Sequence, residues 1–252
     1  MAERARVAAL ILGAGRGERL GAALPKAFVE VVGRTLVERS IRALAAADVF
    51  GVLQPVLGAE DLGRFAALGI EDVEGLAAPV VGGRERQDSM RAGLAALPAA
   101  IEWVAVHDAA RCLVSPRDVV RVVEVARATG AAILAEPVRD TIKRVESGAI
   151  VETPPREALW AAQTPQVLRR DWLEAGLAAA TRDGRQATDD AQLVEWLGHV
   201  VRIVPASGPN PKITRPEDLR LAESLLASGT DEEPAHFGEG ARRRAGVGEI
   251  GS

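Results

Sequence analysis

The sequence has few or none of several residue types on which particular functions depend. Cysteine occurs once, at Cys112, which excludes a disulfide framework within the chain and a cluster of thiolate metal ligands. Tyrosine is absent and aromatic residues make up 3% of the chain, so there are few platforms on which single-stranded bases could stack. The net charge of -4 lacks the basic excess of general nucleic-acid binders. We therefore expect no nucleic-acid partner.

Long hydrophobic runs are also missing. The first apolar run, Val7–Leu12, is far shorter than the roughly 20 residues that a membrane-spanning helix needs, and it is too short for the core of a signal peptide. Hydrophobic residues make up 48% and charged residues 26% of the chain, which is typical of globular proteins. The sequence predicts a cytoplasmic protein without a membrane partner.

Short apolar runs alternate with segments of helical periodicity. The runs are mostly apolar, as in strands buried on both faces of a sheet, and comprise Val7–Leu12, Val52–Leu57, Trp103–Val106, Ala131–Ala135 and Val200–Val204. Helix-start patterns lie between them, at Thr35 with Glu38, Ser115 with Pro116, and Thr214 with Pro216. This alternation predicts an α/β fold of three layers with a mainly parallel sheet.

One stretch departs from the alternation. Thr141–Thr153 contains two short β-prone runs around Ser147 and Gly148, a pattern typical of a β-hairpin. Because it carries charges and lies between two α/β units, we expect it to project from the body as a β-arm over about residues 138–157. A projecting hairpin leaves strand edges unpaired, and a partner subunit is one natural cover for them.

Glycines and basic residues directly follow the first predicted strand. Gly13-Ala14-Gly15 is followed by Arg16, Arg19 and Lys26. Glycines let backbone N–H groups approach an anion, and the carboxyl end of a parallel strand is where α/β sheets bind ligands. The spacing fits neither the dinucleotide fingerprint nor the Walker A loop. Two interpretations remain: a cradle for a nucleoside triphosphate, or a tight strand–helix turn with solvated arginines.

Further short motifs follow later apolar runs. They are Gly82–Ser89, Val106–Arg111, Pro137–Lys143, Gln163–Gln166, Thr188–Ala191 and Lys212–Leu219. Together with the first loop, their order and intervals resemble the 2-C-methyl-D-erythritol 4-phosphate cytidylyltransferase family over about residues 6 to 226. The resemblance implies a Rossmann-like nucleotidyltransferase that transfers CMP from CTP to 2-C-methyl-D-erythritol 4-phosphate in the non-mevalonate isoprenoid pathway. It also implies release of pyrophosphate, Mg²⁺ or another divalent cation, and a homodimer that exchanges its β-arms.

The resemblance implies which residues contact the nucleotide. Arg19 and Lys26 would hold the triphosphate and stabilise charge on the α-phosphate. Asp108 and Arg111 would lie where ribose, metal and acceptor meet, with Asp108 as the metal ligand. The cytosine and ribose pocket would be lined by Gly13, Ala14, Gly15, Gly83 and Ser89.

The resemblance also implies an acceptor site shared between subunits. Thr141 and Arg156, on the arm, would reach the acceptor site of the partner subunit. Thr164, Thr188 and Lys212 would complete the acceptor and α-phosphate site. Such a reaction depends on positioning and electrostatic stabilisation, and a phosphate acceptor needs no general base.

Simpler roles remain open for some of these residues. Asp108 could cap a helix or pair with Arg111, Thr188 with Asp189 could form a helix N-cap, and Lys212 could be surface charge. The function also has alternatives, namely a cytidylyltransferase for another polyol phosphate such as ribitol 5-phosphate, or a non-catalytic CTP-binding protein. We expect residues 1–227 to form the cytidylyltransferase domain. Residues 228–252 would be a flexible tail or the start of a fused second enzyme.

Overall fold

The structure, a computed structural model, describes residues 4–15 and 24–228. Within these ranges the main sheet has seven strands. In spatial order they are β11 (Arg202–Pro205), β7 (Ala131–Pro137), β10 (Trp160–Arg169), β6 (Trp103–Asp108), β1 (Val7–Leu12), β4 (Val52–Leu57) and β5 (Val80–Val81). β10 runs antiparallel to both of its neighbours, and the other pairs are parallel. The expectation of a mainly parallel sheet is confirmed.

The helices and two small hairpins complete the fold. The helices are α1 (Leu36–Ala46), α2 (Leu62–Ala66), α3 (Arg86–Ala96), α4 (Pro116–Thr129), α5 (Arg170–Arg182), α6 (Asp190–Glu195) and α7 (Pro216–Ala227). The hairpins are β2 (Glu30–Val31) with β3 (Arg34–Thr35), and β8 (Arg144–Glu146) with β9 (Ala149–Glu152). Within the described residues no helix is both long and apolar enough to span a bilayer.

The alternation of side chains along β1 explains the three layers. Ala9 and Ile11 pack in one buried cluster with residues of α1 and α4, including Ile41. Ala8 and Leu10 pack in the other cluster with residues of α3, α5 and α6. Because successive side chains of a strand point to opposite faces, a fully apolar strand requires helices on both sides. The three-layer architecture predicted from the sequence is therefore confirmed.

The predicted boundaries needed several corrections. β6 continues two residues past Val106, and β11 begins at Arg202 rather than at Val200. Thr35 does cap α1, because its hydroxyl accepts the N–H of Glu38 at 3.2 Å. Thr214 does not cap α7. The Asp218 carboxylate accepts both the N–H and the hydroxyl of Thr214, at 2.7 and 2.8 Å, and the N–H of Arg215, at 2.8 Å.

β10 was missed from the sequence. Its residues Gln163–Gln166 were expected to follow an apolar run, but they lie inside the strand. A central proline cannot donate to a strand ladder, so Pro165 argued against a strand here. The structure accommodates it with a register shift between Ala162 and Gln166 in the pairing with β7.

The predicted hairpin is present as β8 and β9. Ser147 and Gly148 have φ values of 49° and 82°, and two positive φ values are typical of the tight turns that join twisted strands. Every residue of both strands is exposed in this single chain. The predicted tail lies outside the described residues apart from Ser228.

Candidate functional site

A cavity of about 230 Å³ opens at the carboxyl ends of β1 and β6. These strands are parallel neighbours, and their last residues, Leu12 and Asp108, are paired in register. We call this space the strand-end cavity. Its walls are formed by Leu12, Gly13, Ala14, Gly15, Lys26, Ala27, Gly83, Arg84, Glu85, Arg86, Ser89, Asp108, Ala109, Ala110 and Lys212.

The loop after β1 forms one wall. The N–H of Gly13 bonds to the carbonyl of Val56 at 2.8 Å, and a Cβ on Gly13 would lie 2.8 Å from Leu57 Cδ2. A side chain at Gly13 would therefore push this loop away from β4. No atom of the residues that the structure describes lies within 4 Å of a Cβ built on Gly15. Arg19 lies outside the described residues.

The loop before α3 forms the facing wall. A Cβ on Gly83 would lie 2.2 Å from Asp88 Cβ, so only glycine fits there. Ser89 Oγ accepts the N–H of Gly83 at 3.2 Å, which fixes this loop on the first turn of the helix. A Cβ on Gly82 would lie 2.7 Å from Ala14 Cβ. The two glycine loops predicted from the sequence therefore contact each other closely.

Asp108 lies between two cations at the base of the cavity. Its Oδ2 is 2.6 Å from Lys212 Nζ, and its Oδ1 is 3.3 Å from Arg86 Nη2. Burial tends to raise the pKa of this carboxyl, but the charges of Arg86 and Lys212 outweigh it and hold the pKa well below its usual range. Asp108 is therefore an anion at neutral pH, and Lys212 is part of the site rather than isolated surface charge.

Thr164 supports Asp108 from β10. Its buried hydroxyl accepts the N–H of Asp108 at 3.1 Å and lies 3.2 Å from Nδ1 of His107. Burial lowers the pKa of His107 to about 4, so the ring is neutral at pH 7 and its Nδ1 can accept the Thr164 proton. Thr164 thus supports the backbone of Asp108 from beneath the cavity and is not part of the cavity wall.

Arg111 holds the segment that carries Lys212. Its guanidinium donates to the carbonyls of Asn210, at 2.7 Å, and Ala162, at 3.2 Å. Asn210 Nδ2 in turn donates to the carbonyl of Thr164 at 3.0 Å. Arg111 is next to the strand-end cavity but does not line it. Its contacts join the end of β6, β10 and the segment before α7.

Besides Arg111 and Thr164, three further predicted site residues do not line the strand-end cavity of this single chain. Thr141 and Arg156 are exposed on the arm, where the Arg156 guanidinium donates to the carbonyl of Arg139 at 3.2 Å. Thr188 is exposed and its N–H donates to Gln192 Oε1 at 2.9 Å. The alternative that Thr188 with Asp189 caps α6 is confirmed for Asp189, whose side chain accepts the N–H of Gln192.

Sequence reasoning missed Arg86 and Asp190. Arg86 lines the cavity and pairs with both Asp108 and the fully buried Asp190. Arg86 belongs to the Gly82–Ser89 motif and Asp190 to the Thr188–Ala191 motif, but no spacing rule connects two loops so distant in the chain. The sequence signal that could have identified them was that each lies within one of the motifs that follow the apolar runs.

Asp108 is the carboxylate at the base of the cavity where the divalent cation implied by the sequence resemblance would bind, and Glu85 also lines the cavity. Among the described residues, no group of three or more His, Cys, Asp or Glu side chains is placed to hold a metal. Mg²⁺ characteristically binds one or two carboxylates together with substrate phosphates and water. The anionic carboxylate of Asp108 in an open cavity therefore fits a cation that arrives with a phosphate ligand.

Comparisons with known proteins agree on one family. The family model described as 2-C-methyl-D-erythritol 4-phosphate cytidylyltransferase matches residues 7–228. The cytidylyltransferase of that name from Pelotomaculum thermopropionicum is 42% identical over 224 residues, covering 88% of this chain and 94% of the relative.

Solved structures give the same result. The cytidylyltransferase of that name from Thermus thermophilus is 37% identical with a TM-score of 0.69, covering 87% of this chain and 98% of that one. The 4-diphosphocytidyl-2C-methyl-D-erythritol synthase from Anaerococcus prevotii is 26% identical with a TM-score of 0.79, covering 88% and 98%. The chain belongs to the 2-C-methyl-D-erythritol 4-phosphate cytidylyltransferase family.

Proposed function

We propose that the strand-end cavity transfers CMP from CTP to 2-C-methyl-D-erythritol 4-phosphate. The products are pyrophosphate and 4-diphosphocytidyl-2-C-methyl-D-erythritol. The observation that carries this assignment is the position of Asp108, held between Arg86 and Lys212 and facing two glycine loops and Lys26. Family membership favours this enzyme over a non-catalytic CTP-binding protein.

The two glycine loops bind the nucleoside of CTP. Gly13, Ala14 and Gly15 offer backbone groups on one side of the cavity, and Gly83 with Ser89 faces them. The close contact between Gly82 and Ala14 sets the separation of these loops. A flat base and a ribose fit between two backbone surfaces that carry no large side chains, because nothing there blocks close approach.

The chemical step is an in-line substitution at the α-phosphorus of CTP. A phosphate oxygen of the acceptor forms a bond to this phosphorus, and the bond to the bridging oxygen breaks to release pyrophosphate. The acceptor phosphate is already an anion, so no general base is needed. Lys26 and Lys212 line the cavity and Arg19 follows the first loop, so these cations would stabilise the negative charge that develops.

Asp108 is the residue that would hold a divalent cation. When bound, Mg²⁺ neutralises charge on the triphosphate oxygens. Asp108 is suited to this role because its carboxylate is ionised and its backbone is fixed by Thr164. Before CTP binds, its bond to Lys212 holds that ammonium in the cavity.

The arm completes the acceptor site in a homodimer. β8 and β9 expose Val145, Ile150 and Val151, and an exposed apolar hairpin is favourable when another subunit covers it. Thr141 and Arg156 on this arm would bind the acceptor phosphate of the partner's site, with Thr188 completing it. Thr164 would support that site from below, through the backbone of Asp108. The protein would act in the cytoplasm.

Mixed dimers test whether Arg156 acts in the partner's site. Two variants are prepared separately, one with Arg156→Ala and one with Lys212→Gln. In a pure dimer of either variant, both sites lack one essential group. Mixing them should restore about half the activity per mixed dimer, because one of its sites then has both residues. Activity that stays at the level of the separate variants would contradict a shared site.

Turnover with two acceptors tests the substrate. Release of pyrophosphate from CTP is measured with Mg²⁺ and either 2-C-methyl-D-erythritol 4-phosphate or ribitol 5-phosphate. The proposal expects efficient turnover with the first acceptor. Turnover with ribitol 5-phosphate alone would overturn it.

A further inference from the structure

The Arg86 side chain bridges two carboxylates that come from distant parts of the chain. Both of its terminal nitrogens contact Asp190, and Nη2 lies 2.8 Å from Asp190 Oδ2. The same Nη2 lies 3.3 Å from Asp108 Oδ1. A planar guanidinium can hold one carboxylate with two parallel bonds and still offer a hydrogen to a second, whereas an ammonium cannot do this in a fixed plane.

Asp190 is a rigid anchor for this guanidinium. It is fully buried, and it does not line the strand-end cavity. Its backbone N–H and that of Ala191 both donate to Gln166 Oε1, at 3.0 and 2.8 Å. The position of Arg86 is therefore set from beneath the cavity by β10 and the first turn of α6.

The two cations that pair with Asp108 differ in how far their side chains can move. Arg86 approaches Oδ1 and is tied to Asp190, whereas Lys212 approaches Oδ2 with a side chain that is 43% exposed. A buried carboxylate that loses all its partners is strongly disfavoured. If Lys212 were its only partner, moving Lys212 onto a bound phosphate would carry that cost. With Arg86 in place, Asp108 keeps a cation.

We propose that Arg86 is a positioning residue that releases Lys212 for catalysis. Anchored by Asp190, it holds Asp108 while the ammonium of Lys212 moves from Oδ2 to the α-phosphate of CTP. This inference rests on the proposed function, since it assigns Lys212 to that phosphate. It gives Arg86 no contact with the reacting atoms.

Substitutions of Arg86 should separate kcat from KM. Arg86→Gln should lower kcat about 10- to 100-fold, as is usual for groups that orient a catalytic residue, with a much smaller change in the KM for CTP. Arg86→Lys should restore little, because an ammonium cannot bridge both carboxylates. Asp190→Asn should also lower kcat, because the Arg86 guanidinium is then held less firmly. Equal losses in kcat and in CTP binding would overturn the proposal.

Arg121 provides a matched control. In α4 it makes an equivalent bond, 3.0 Å long, to the buried carboxylate of Asp118. Arg121→Lys should leave kcat unchanged, while the melting temperature reports any loss of stability in both arginine variants. If Arg121→Lys lowers kcat as much as Arg86→Lys does, the effect at Arg86 is one of stability alone and the proposal fails.

A double-mutant cycle gives the sharpest test. Because Arg86 acts through Lys212, Arg86→Gln has no further effect to remove once Lys212 is replaced. The kcat of the double variant should therefore lie within about twofold of the kcat of Lys212→Gln alone. Losses that multiply would overturn the proposal. If the wild-type enzyme gives no turnover, the proposed function itself fails, whereas failure of this inference appears only in the variants.

Discussion

The hydroxyl of Thr164 accepts the backbone N–H of Asp108 at 3.1 Å, so an antiparallel strand fixes the end of the parallel strand that carries the site's carboxylate. The same hydroxyl contacts the His107 ring. Asp108 is therefore held at its backbone by β10 and at its side chain by Arg86 and Lys212. This explains how one carboxylate can be both buried and oriented.

Thr164→Val removes this hydroxyl while keeping the shape of the side chain. The N–H of Asp108 would be left buried without a partner, which costs about 1–3 kcal/mol in the free energy of unfolding. Turnover should fall because Asp108 is less well oriented. Urea unfolding and initial rates of pyrophosphate release measure the two effects, and Thr164→Ser, which retains a hydroxyl, is the control. Full activity in the valine variant would contradict this role.

His107 should make stability depend on pH. Its pKa is about 4 in the folded protein, below the usual 6.5, because the buried ring disfavours a charge. Between these values the unfolded chain binds more protons, so the free energy of unfolding should decrease as pH falls from about 6.5 to about 4, by up to about 3 kcal/mol.

His107→Gln isolates this contribution, because glutamine does not titrate. Urea unfolding of both proteins is measured at pH 7.5 and pH 4.5. If the wild type has the larger free energy of unfolding at pH 7.5, this difference should become smaller or change sign at pH 4.5. A difference between the two proteins that is the same at both pH values would show that His107 does not titrate as described.

The sequence was sufficient for the parts of the fold that depend on local pattern. Val7–Leu12 is an uninterrupted apolar run, and Val52–Leu57 is apolar apart from Gln54 and Pro55. Both were placed without error, since buried parallel strands are mostly apolar. β10 could not be found in this way, because Pro165 and the glutamines beside it suit a loop. Its strand conformation depends on pairing with β6 and β7 and is therefore a tertiary effect.

The candidate site likewise has parts that local motifs predict and parts that depend on tertiary contacts. The two glycine loops, Asp108 and Lys212 lie together as the motifs predicted. The bridge from Arg86 to Asp190 depends on a contact between two distant loops, and no local pattern encodes it. Roles that need a second subunit, such as that of Arg156, remain predictions.

Gly83→Ala should impair CTP binding. The new Cβ would lie 2.2 Å from Asp88 Cβ, so the loop or the start of α3 must move. Overpacking of this kind typically costs about 1–3 kcal/mol in the free energy of unfolding, and displacement of the loop should raise the Kd for CTP. Calorimetric titration with CTP measures the second effect.

Gly63 in α2 is the control for this substitution, since a Cβ there has no neighbour within 4 Å in the described part of the chain. Gly63→Ala should leave the Kd for CTP unchanged and stabilise the helix by about 0.5–1 kcal/mol. Unchanged CTP binding in Gly83→Ala would mean that this loop does not contact the nucleotide.

Lys26→Ala should lower turnover far more than it weakens CTP binding. Its cation acts on charge that develops during the reaction, so we expect a loss in kcat of about 10²- to 10³-fold with a much smaller change in Kd. Single-turnover kinetics and calorimetric titration measure the two quantities. Arg220→Ala, an exposed change on α7, is the control. Losses of equal size in kcat and binding would rule out a role in the transition state.

Identification of the products tests the central claim most directly. Wild-type protein is incubated with CTP, 2-C-methyl-D-erythritol 4-phosphate and Mg²⁺, and the products are analysed by mass spectrometry and ³¹P NMR. The reaction at the strand-end cavity predicts 4-diphosphocytidyl-2-C-methyl-D-erythritol and one pyrophosphate for each molecule formed. Release of CMP or CDP without this product, or CTP that remains intact beside the acceptor, would contradict the account.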